Sequence, residues 1–302
     1  MTESIENQIK SEVCHDGIWT LPTQMKNVLK RQIGRLPNKS VSKEEMRYPN
    51  TASGMRAFLE LFFSRHYFQI QNSLLDYIGS EDFDSILDGG EIRILDIGCG
   101  PAVGVLAVTD IIMRRLANEN NTRHRPIRFV YVLNDTSEVC LSTGQRMLNE
   151  YFALRRVNNA GMTGHRILTL AKGFPQNANQ LMRIAKNYGA YHLVMFSYVL
   201  QPLVDDNRNQ YLASDIVRTE GLCDPCGRVL ILQDKYSESL TRTLGKQINA
   251  SVENKELTQN IFPDRGTMDT YTYSYYQCLY KPRHSLAEAV ACVAQAAVFE
   301  GV

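Results

Sequence analysis

The stretch Ile94–Gly104, ILDIGCGPAVG, decides the fold. Ile94 and Leu95 end a short apolar run of the kind that forms a strand buried on both faces. Gly98 and Gly100 follow in a tight bend, and a helix can open from about Ala102. Glycines reach backbone angles closed to other residues and let a ligand approach the main chain. A helix that begins at such a bend offers its free N–H groups to that ligand.

The flanking chain supplies the context that a lone Gly-x-Gly lacks. Short apolar runs at Ile92–Asp96, Arg128–Asn134, Arg166–Leu170, Tyr191–Ser197 and Arg228–Gln233 alternate with helix-like stretches. Those stretches are Val103–Asn118, Glu138–Tyr151, Gln176–Tyr188 and Asn207–Glu220. Such alternation is the mark of βαβ units and a mainly parallel sheet. Ser237–Val252 reads as a further helix and Thr270–Tyr280, TYTYSYYQCLY, as a closing strand. The expected fold class is α/β, a Rossmann-like, mainly parallel seven-stranded sheet flanked by helices, with the glycine bend as its nucleotide-binding turn. Residues 91–302 form this domain, and an Ala-rich C-terminal stretch adds one helix beyond it. Residues 1–90 read as a helical segment: Met25, Leu29 and Ile33 share one helix face, and Thr51 or Ser53 can cap a long helix through about Tyr77.

Bulk properties agree with an ordinary globular chain. Of the 302 residues, 44% are hydrophobic and 22% charged, with 33 basic against 32 acidic side chains. No apolar run approaches the roughly 20 residues that cross a bilayer, so no membrane partner is expected. The N-terminus MTESIENQIKSEVCHDG is neither a signal nor a transit peptide, and a cytoplasmic location is the expectation. Seven cysteines scattered along the chain do not form a disulfide framework. Cys223 and Cys226 make one C-x-x-C pair with no second pair to complete a zinc site, so no metal is expected. Charge is uneven: the bases Lys26, Lys30, Arg31, Arg35, Lys39, Lys43 and Arg47 face only Glu44 and Glu45. Arg123, His124, Arg125 and Arg128 form a second basic group, and every charged side chain between Asp76 and Glu91 is acidic.

The ligand of the bend follows from its charge. A dinucleotide turn wants G-x-G-x-x-G, and the third glycine of that register is Val103 here. Asp96 also lies two residues before Gly98, where it repels a pyrophosphate. S-adenosylmethionine has no phosphate and carries a sulfonium and an ammonium group, which a nearby carboxylate favours. No Gly-Lys-Ser/Thr closes a Walker-type loop.

With Asp96-Ile97-Gly98-Cys99-Gly100-Pro101-Ala102 the chain resembles the class I S-adenosylmethionine-dependent methyltransferases, whose first motif runs Asp-x-Gly-x-Gly-x-Gly. The likeness covers roughly residues 92 to 280 and points to no subfamily. Ala102 replaces the last glycine and could narrow the approach to the methionine moiety. The resemblance implies a cofactor site of Asp96, Gly98, Cys99, Gly100 and Ala102. It adds Asp135 with Thr136 after the second strand, where an acidic residue binds the ribose hydroxyls. Asn134 serves if the register is one off, and a helix cap near Ser137 is the other role for Asp135. After the third strand Gly173 and Phe174 would line the adenine edge, although the usual acidic residue is missing from AKGFPQN. Ser197 and Tyr198 would stand after the fourth strand where donor and acceptor meet.

An N-terminal lid would supply acceptor contacts from Arg56, His66 and Tyr67, with Gln201 opposite. No catalytic base is assigned. No Asn/Asp-Pro-Pro-Tyr/Phe and no Pro-Cys follows the fourth strand, so neither base-amino nor C5-cytosine methylation is supported. A small-molecule acceptor, methylated on O or N, fits the neutral charge. RNA or a ribosome-associated acceptor fits the two basic groups. A binding protein without catalysis and an NAD-dependent dehydrogenase are the remaining alternatives.

Overall fold

The structure, a computed structural model, describes residues 5–118, 126–155, 162–200, 212–260 and 270–283. Its elements run α1 (Ile5–Val13), β1 (Cys14–His15), β2 (Ile18–Trp19), α2 (Thr23–Gly34), α3 (Lys43–Arg47), α4 (Ala52–Ile78) and α5 (Glu81–Asp88). Then come β3 (Glu91–Ile97), α6 (Val103–Asn118), β4 (Ile127–Asn134), α7 (Glu138–Arg155), β5 (Met162–Leu170), α8 (Ala178–Tyr188) and β6 (Tyr191–Ser197). The chain closes with α9 (Leu212–Glu220), β7 (Cys223–Asp234), α10 (Glu238–Ile248), β8 (Glu253–Asn260) and β9 (Thr270–Tyr280).

The nine described strands form one sheet in the order β1-β2-β8-β9-β7-β6-β3-β4-β5. The pairs among β3 to β7 are parallel, and β9 runs antiparallel to both β7 and β8. The central strands are mostly apolar because both of their faces are covered. Ile92 and Ile94 of β3 pack into one core with α4, α6 and α7, whereas Leu95 and Ile97 face a second core with α8, α9 and α10. Asp96 shares the parity of Ile94 and so looks toward α4 and α6.

The six strands placed from the sequence are present; β8, which the sequence reading did not place, supplies the seventh of the expected sheet, and β1 and β2 extend it by two more. Cys14–His15 and Ile18–Trp19 form a tiny hairpin inside the segment read as purely helical. Its turn is Asp16-Gly17, both at positive φ, and such an Asp-Gly pair matches the twist of two strands. Trp19 then pairs with Gln259 and lengthens the sheet by way of β8. The β8 sequence ENKELTQN is polar, as suits a strand near an edge, and its register against β9 sets Leu257 opposite Tyr273. The helix expected to reach Val252 stops at Ile248, where Asn249 adopts a left-handed cap. The Ala-rich C-terminal stretch, Gln201 and the basic group Arg123 to Arg125 lie outside the described residues. No described helix is long and apolar enough to cross a membrane.

Helix α4 holds the N-terminal segment to the sheet. Thr51 caps it by accepting from Gly54 N at 3.1 Å. Buried residues fall all round it, from Leu59, Phe63 and Tyr67 to Leu74 and Ile78, so it is a core helix rather than an amphipathic one. A polar knot fastens it. Asp110 on α6 accepts from Tyr67 Oη at 2.6 Å, Tyr151 Oη at 2.8 Å and Arg114 Nε at 2.7 Å. All four side chains are buried, so each group depends on the others for its hydrogen bonds. Asp110→Ala leaves two buried phenols without their acceptor and Arg114 with only Glu12 as a charge partner among the described residues, and urea unfolding should show a loss of about 3–5 kcal/mol. A loss below about 1 kcal/mol would mean that the knot does not hold α4.

Candidate functional site

From β3 the chain winds outward to β4 and β5, then returns past β3 to β6. A crevice opens where the direction of winding reverses, at the carboxyl ends of the strands. Here it is a cavity of about 560 Å³, within the size of small-molecule sites. The glycine bend forms its floor. Gly98 and Gly100 have φ of 66° and 52°, the left-handed region that favours glycine. A Cβ on Gly98 would lie 2.1 Å from Val199 Cγ2, so the end of β6 packs directly on it. Nothing stands within 4 Å of a Cβ on Gly100.

Asp96 is the anomaly of the floor. Its side chain is 1% exposed, yet no side chain meets either carboxylate oxygen, and only the backbone N–H of Val105 eases its charge. Gly104 makes room for it: a Cβ there would sit 3.0 Å from Asp96 Oδ2. Burial, reinforced by the charge of Asp135, pushes the Asp96 carboxyl well above the usual carboxylate range. An unpaired buried charge of this kind costs stability unless a cation meets it.

Asp135 is held differently. Its Oδ2 accepts from Gly100 N at 2.9 Å and its Oδ1 from Ser137 N at 2.8 Å, which ties the glycine bend to the start of α7. Each oxygen retains a free lone pair. Burial raises this carboxyl as well, against the pull of those N–H groups. Ser137 itself caps α7, accepting from Cys140 N at 3.3 Å. The Asn134 amide is spent on Leu170 O and Lys172 O, at 3.0 and 2.6 Å, and positions the loop after β5.

Cys99, Thr136, Gly173 and Phe174 line the cavity as expected, with Phe174 edge-on to Phe196 at 5.5 Å. Ser197 and Tyr198 line it from the end of β6, and the Ser197 hydroxyl is buried without a partner. Tyr198 has φ of 61°, an uncommon angle for a bulky residue, and donates its hydroxyl to Gln69 Oε1. Its ring stacks 3.8 Å from that of His66, which also lines the cavity. Burial and the neighbouring Arg65 charge hold the His66 pKa well below its ordinary value, so the ring is neutral. Arg65 Nη2 lies 3.3 Å from His66 Nε2. An arginine only donates, so Nε2 accepts and the ring proton sits on Nδ1.

Three expected contacts are placed elsewhere. Arg56 bonds Glu60 at 3.0 Å and the carbonyls of Leu36 and Ile33, capping the end of α2 rather than entering the cavity. Tyr67 belongs to the Asp110 knot. Ala102 keeps the left-handed angle of a glycine, φ 58°, but its methyl turns away from the ligand space. It packs on α7 at Gly144, where an added Cβ would come within 2.8 Å of it. The substitution therefore leaves the cavity unnarrowed.

The sequence reading missed the roof. Residues 47–50 cross the cavity mouth between α3 and α4, and Arg47, Tyr48, Pro49 and Asn50 all line it. Pro49 O accepts from Ser137 Oγ at 2.8 Å and Cys140 Sγ at 3.3 Å, which pins one end of this strap to α7. Its other end carries Arg47, whose charge, with that of Arg65, partly offsets the burial that raises the carboxyl of Asp234 at the end of β7. Pro49 signals a break in the sequence, and only the fold shows where the broken chain runs.

The buried Asp96 yields a pH prediction. Its folded pKa lies above the unfolded value near 3.8, so the folded state binds more protons and stability falls as pH rises between the two. Asp96→Asn should therefore stabilise the ligand-free protein at neutral pH by about 1 kcal/mol or more, an advantage that fades below about pH 4. Thermal unfolding across that range checks it, and a variant less stable at pH 7 would contradict it.

Comparison with known proteins adds little at the level of sequence. No family model matches the chain, and no curated protein sequence matches it. Among solved structures it is similar to precorrin-6Y C5,15-methyltransferase from Geobacter metallireducens, at 9% identity and a TM-score of 0.42 over 70% of this chain and 88% of that one. A methyltransferase from Pyrococcus furiosus is 12% identical, with a TM-score of 0.37 over 69% and 82%. The methyltransferase domain of METTL16 is 12% identical, with a TM-score of 0.39 over 70% and 81%. The topology itself identifies the fold. Counted from β3, the strands lie in the order 3-2-1-4-5-7-6, the last strand inserted antiparallel beside the fifth. That insertion separates it from the dinucleotide order 3-2-1-4-5-6 within the Rossmann-like, doubly wound α/β class.

Proposed function

We propose that this chain is an S-adenosylmethionine-dependent methyltransferase acting on a small molecule. The unpartnered Asp96 carboxylate carries the reading. It faces the cavity beneath the glycine bend, where a cationic amino group would supply the missing partner. Asp135, with a lone pair free on each oxygen, would receive the ribose hydroxyls, and Gly173 with Phe174 would hold the adenine. Two raised carboxyls beside the bend oppose a pyrophosphate and favour a cation, which weighs against NAD. When bound, the donor supplies an electrophilic methyl group on its sulfonium. A small acceptor is favoured by the strap 47–50, which roofs the cavity and limits what can enter beside the donor. The RNA reading keeps one support, the exposed cations Arg31, Lys39 and Lys43 that lead toward Arg47 at the rim.

Calorimetry tests the donor assignment. S-adenosylmethionine and S-adenosylhomocysteine should each bind one to one, with Asp96→Asn weakening both about tenfold. Tight NADH binding with no affinity for either ligand would overturn the reading. Binding of an RNA oligonucleotide that weakens steeply with salt would move the acceptor to RNA.

A further inference from the structure

Resting on that reading, we propose that the acceptor is a small carboxylic acid, held by Arg47 and methylated on its carboxylate oxygen to give an ester. The charged side chains that line the cavity are spread unevenly. Asp96 and Asp135 stand at the ends of β3 and β4, on the donor side, with Lys172 after β5. Arg47 on the strap lines the other end, where its charge acts on Asp234 of β7, although neither Asp234 nor Arg65 of α4 belongs to the lining. Arg65 is occupied, 3.4 Å from Asp234 and stacked over the rings of Phe62 and Tyr273. Arg47 is exposed, lines the cavity and has no hydrogen-bond or ion-pair partner among the described residues. A guanidinium presents a planar fork that matches a carboxylate. Phe58, Ile70 and the stacked His66 and Tyr198 give an apolar wall for the body of the acid.

Among the described residues this wall also lacks a base. Tyr198 donates its hydroxyl to Gln69. His66 has its Nε2 lone pair facing Arg65 and its proton on Nδ1, so neither nitrogen is free to accept one. An alcohol or ammonium acceptor would have to shed a proton here and would find no described side chain lining this end to take it. A carboxylate has none to shed. Its oxygen attacks the methyl carbon, the C–O bond forms, and the C–S bond breaks with its electron pair left on sulfur. The negative acceptor and positive donor become two uncharged centres, and no proton is taken up or released. Cancelling opposite charges is favoured in a site screened from water.

The test uses the full chain, methyl-labelled S-adenosylmethionine and three probe acids: benzoate, octanoate and indole-3-acetate. At least one acid should take up label, and mild base should release all of it as methanol. In calorimetry with S-adenosylhomocysteine present, Arg47→Ala should weaken that acid about tenfold, and Arg47→Lys should restore only part of the loss. Label stable to base, donor binding without label in any of the acids, or acid binding untouched by Arg47→Ala would each overturn the proposal. Absence of donor binding would instead remove the methyltransferase reading beneath it.

Discussion

Asp110 gathers three helices onto one carboxylate, accepting from Tyr67 of α4, from Arg114 of its own helix α6 and from Tyr151 of α7. The cavity depends on this knot because α4 supplies its inner wall. With Tyr67 fixed, the same helix presents Phe58, His66 and Ile70, all within three turns of it, toward the ends of β3 and β6. A buried network is worth having only when every member is satisfied. Here a chain of polar groups in the apolar layer helps to set the rotation of a helix that is buried on most of its sides.

The floor of the cavity shows the opposite choice. Asp96 is buried with no side-chain partner, at the apolar carboxyl end of β3 between Leu95 and Ile97. Gly104 is the local accommodation, since any side chain there would press on the carboxylate. Stability is given up at a single point, and that point faces the ligand space. Sites where a local rule is broken without structural compensation are where function is expected. Ala102 breaks a rule too, taking a left-handed angle with a side chain, but Gly144 compensates by leaving room for the methyl. The two departures differ in kind: one is absorbed by packing and the other is left open.

Much of this was legible in the sequence. The run from Ile92 to Asn118 carries its strand, bend and helix in consecutive residues, and the helix Val103–Asn118 appears with the bounds the sequence suggests. The cavity floor was readable for the same reason, because Asp96, Gly98, Gly100 and Asp135 sit at strand ends. The wall built by α4 was not. Arg56 and His66 lie ten residues apart on one helix, and nothing local tells which of them turns to α2 and which to the cavity. The strap 47–50 acquires meaning only when Pro49 meets α7, about ninety residues on. Strand β8 was missed because its alternation is polar on both sides, and its pairing with the tyrosines of β9 is a long-range fact.

The central claim is that the lone carboxylate of Asp96 is half of an ion pair whose other half belongs to the donor. A crystal structure with S-adenosylhomocysteine bound tests this most directly. The account predicts the ligand's amino nitrogen within hydrogen-bond distance of Asp96 and its ribose hydroxyls on Asp135. A ligand seated elsewhere, or one in this cavity with its amino group turned away from Asp96, would contradict it.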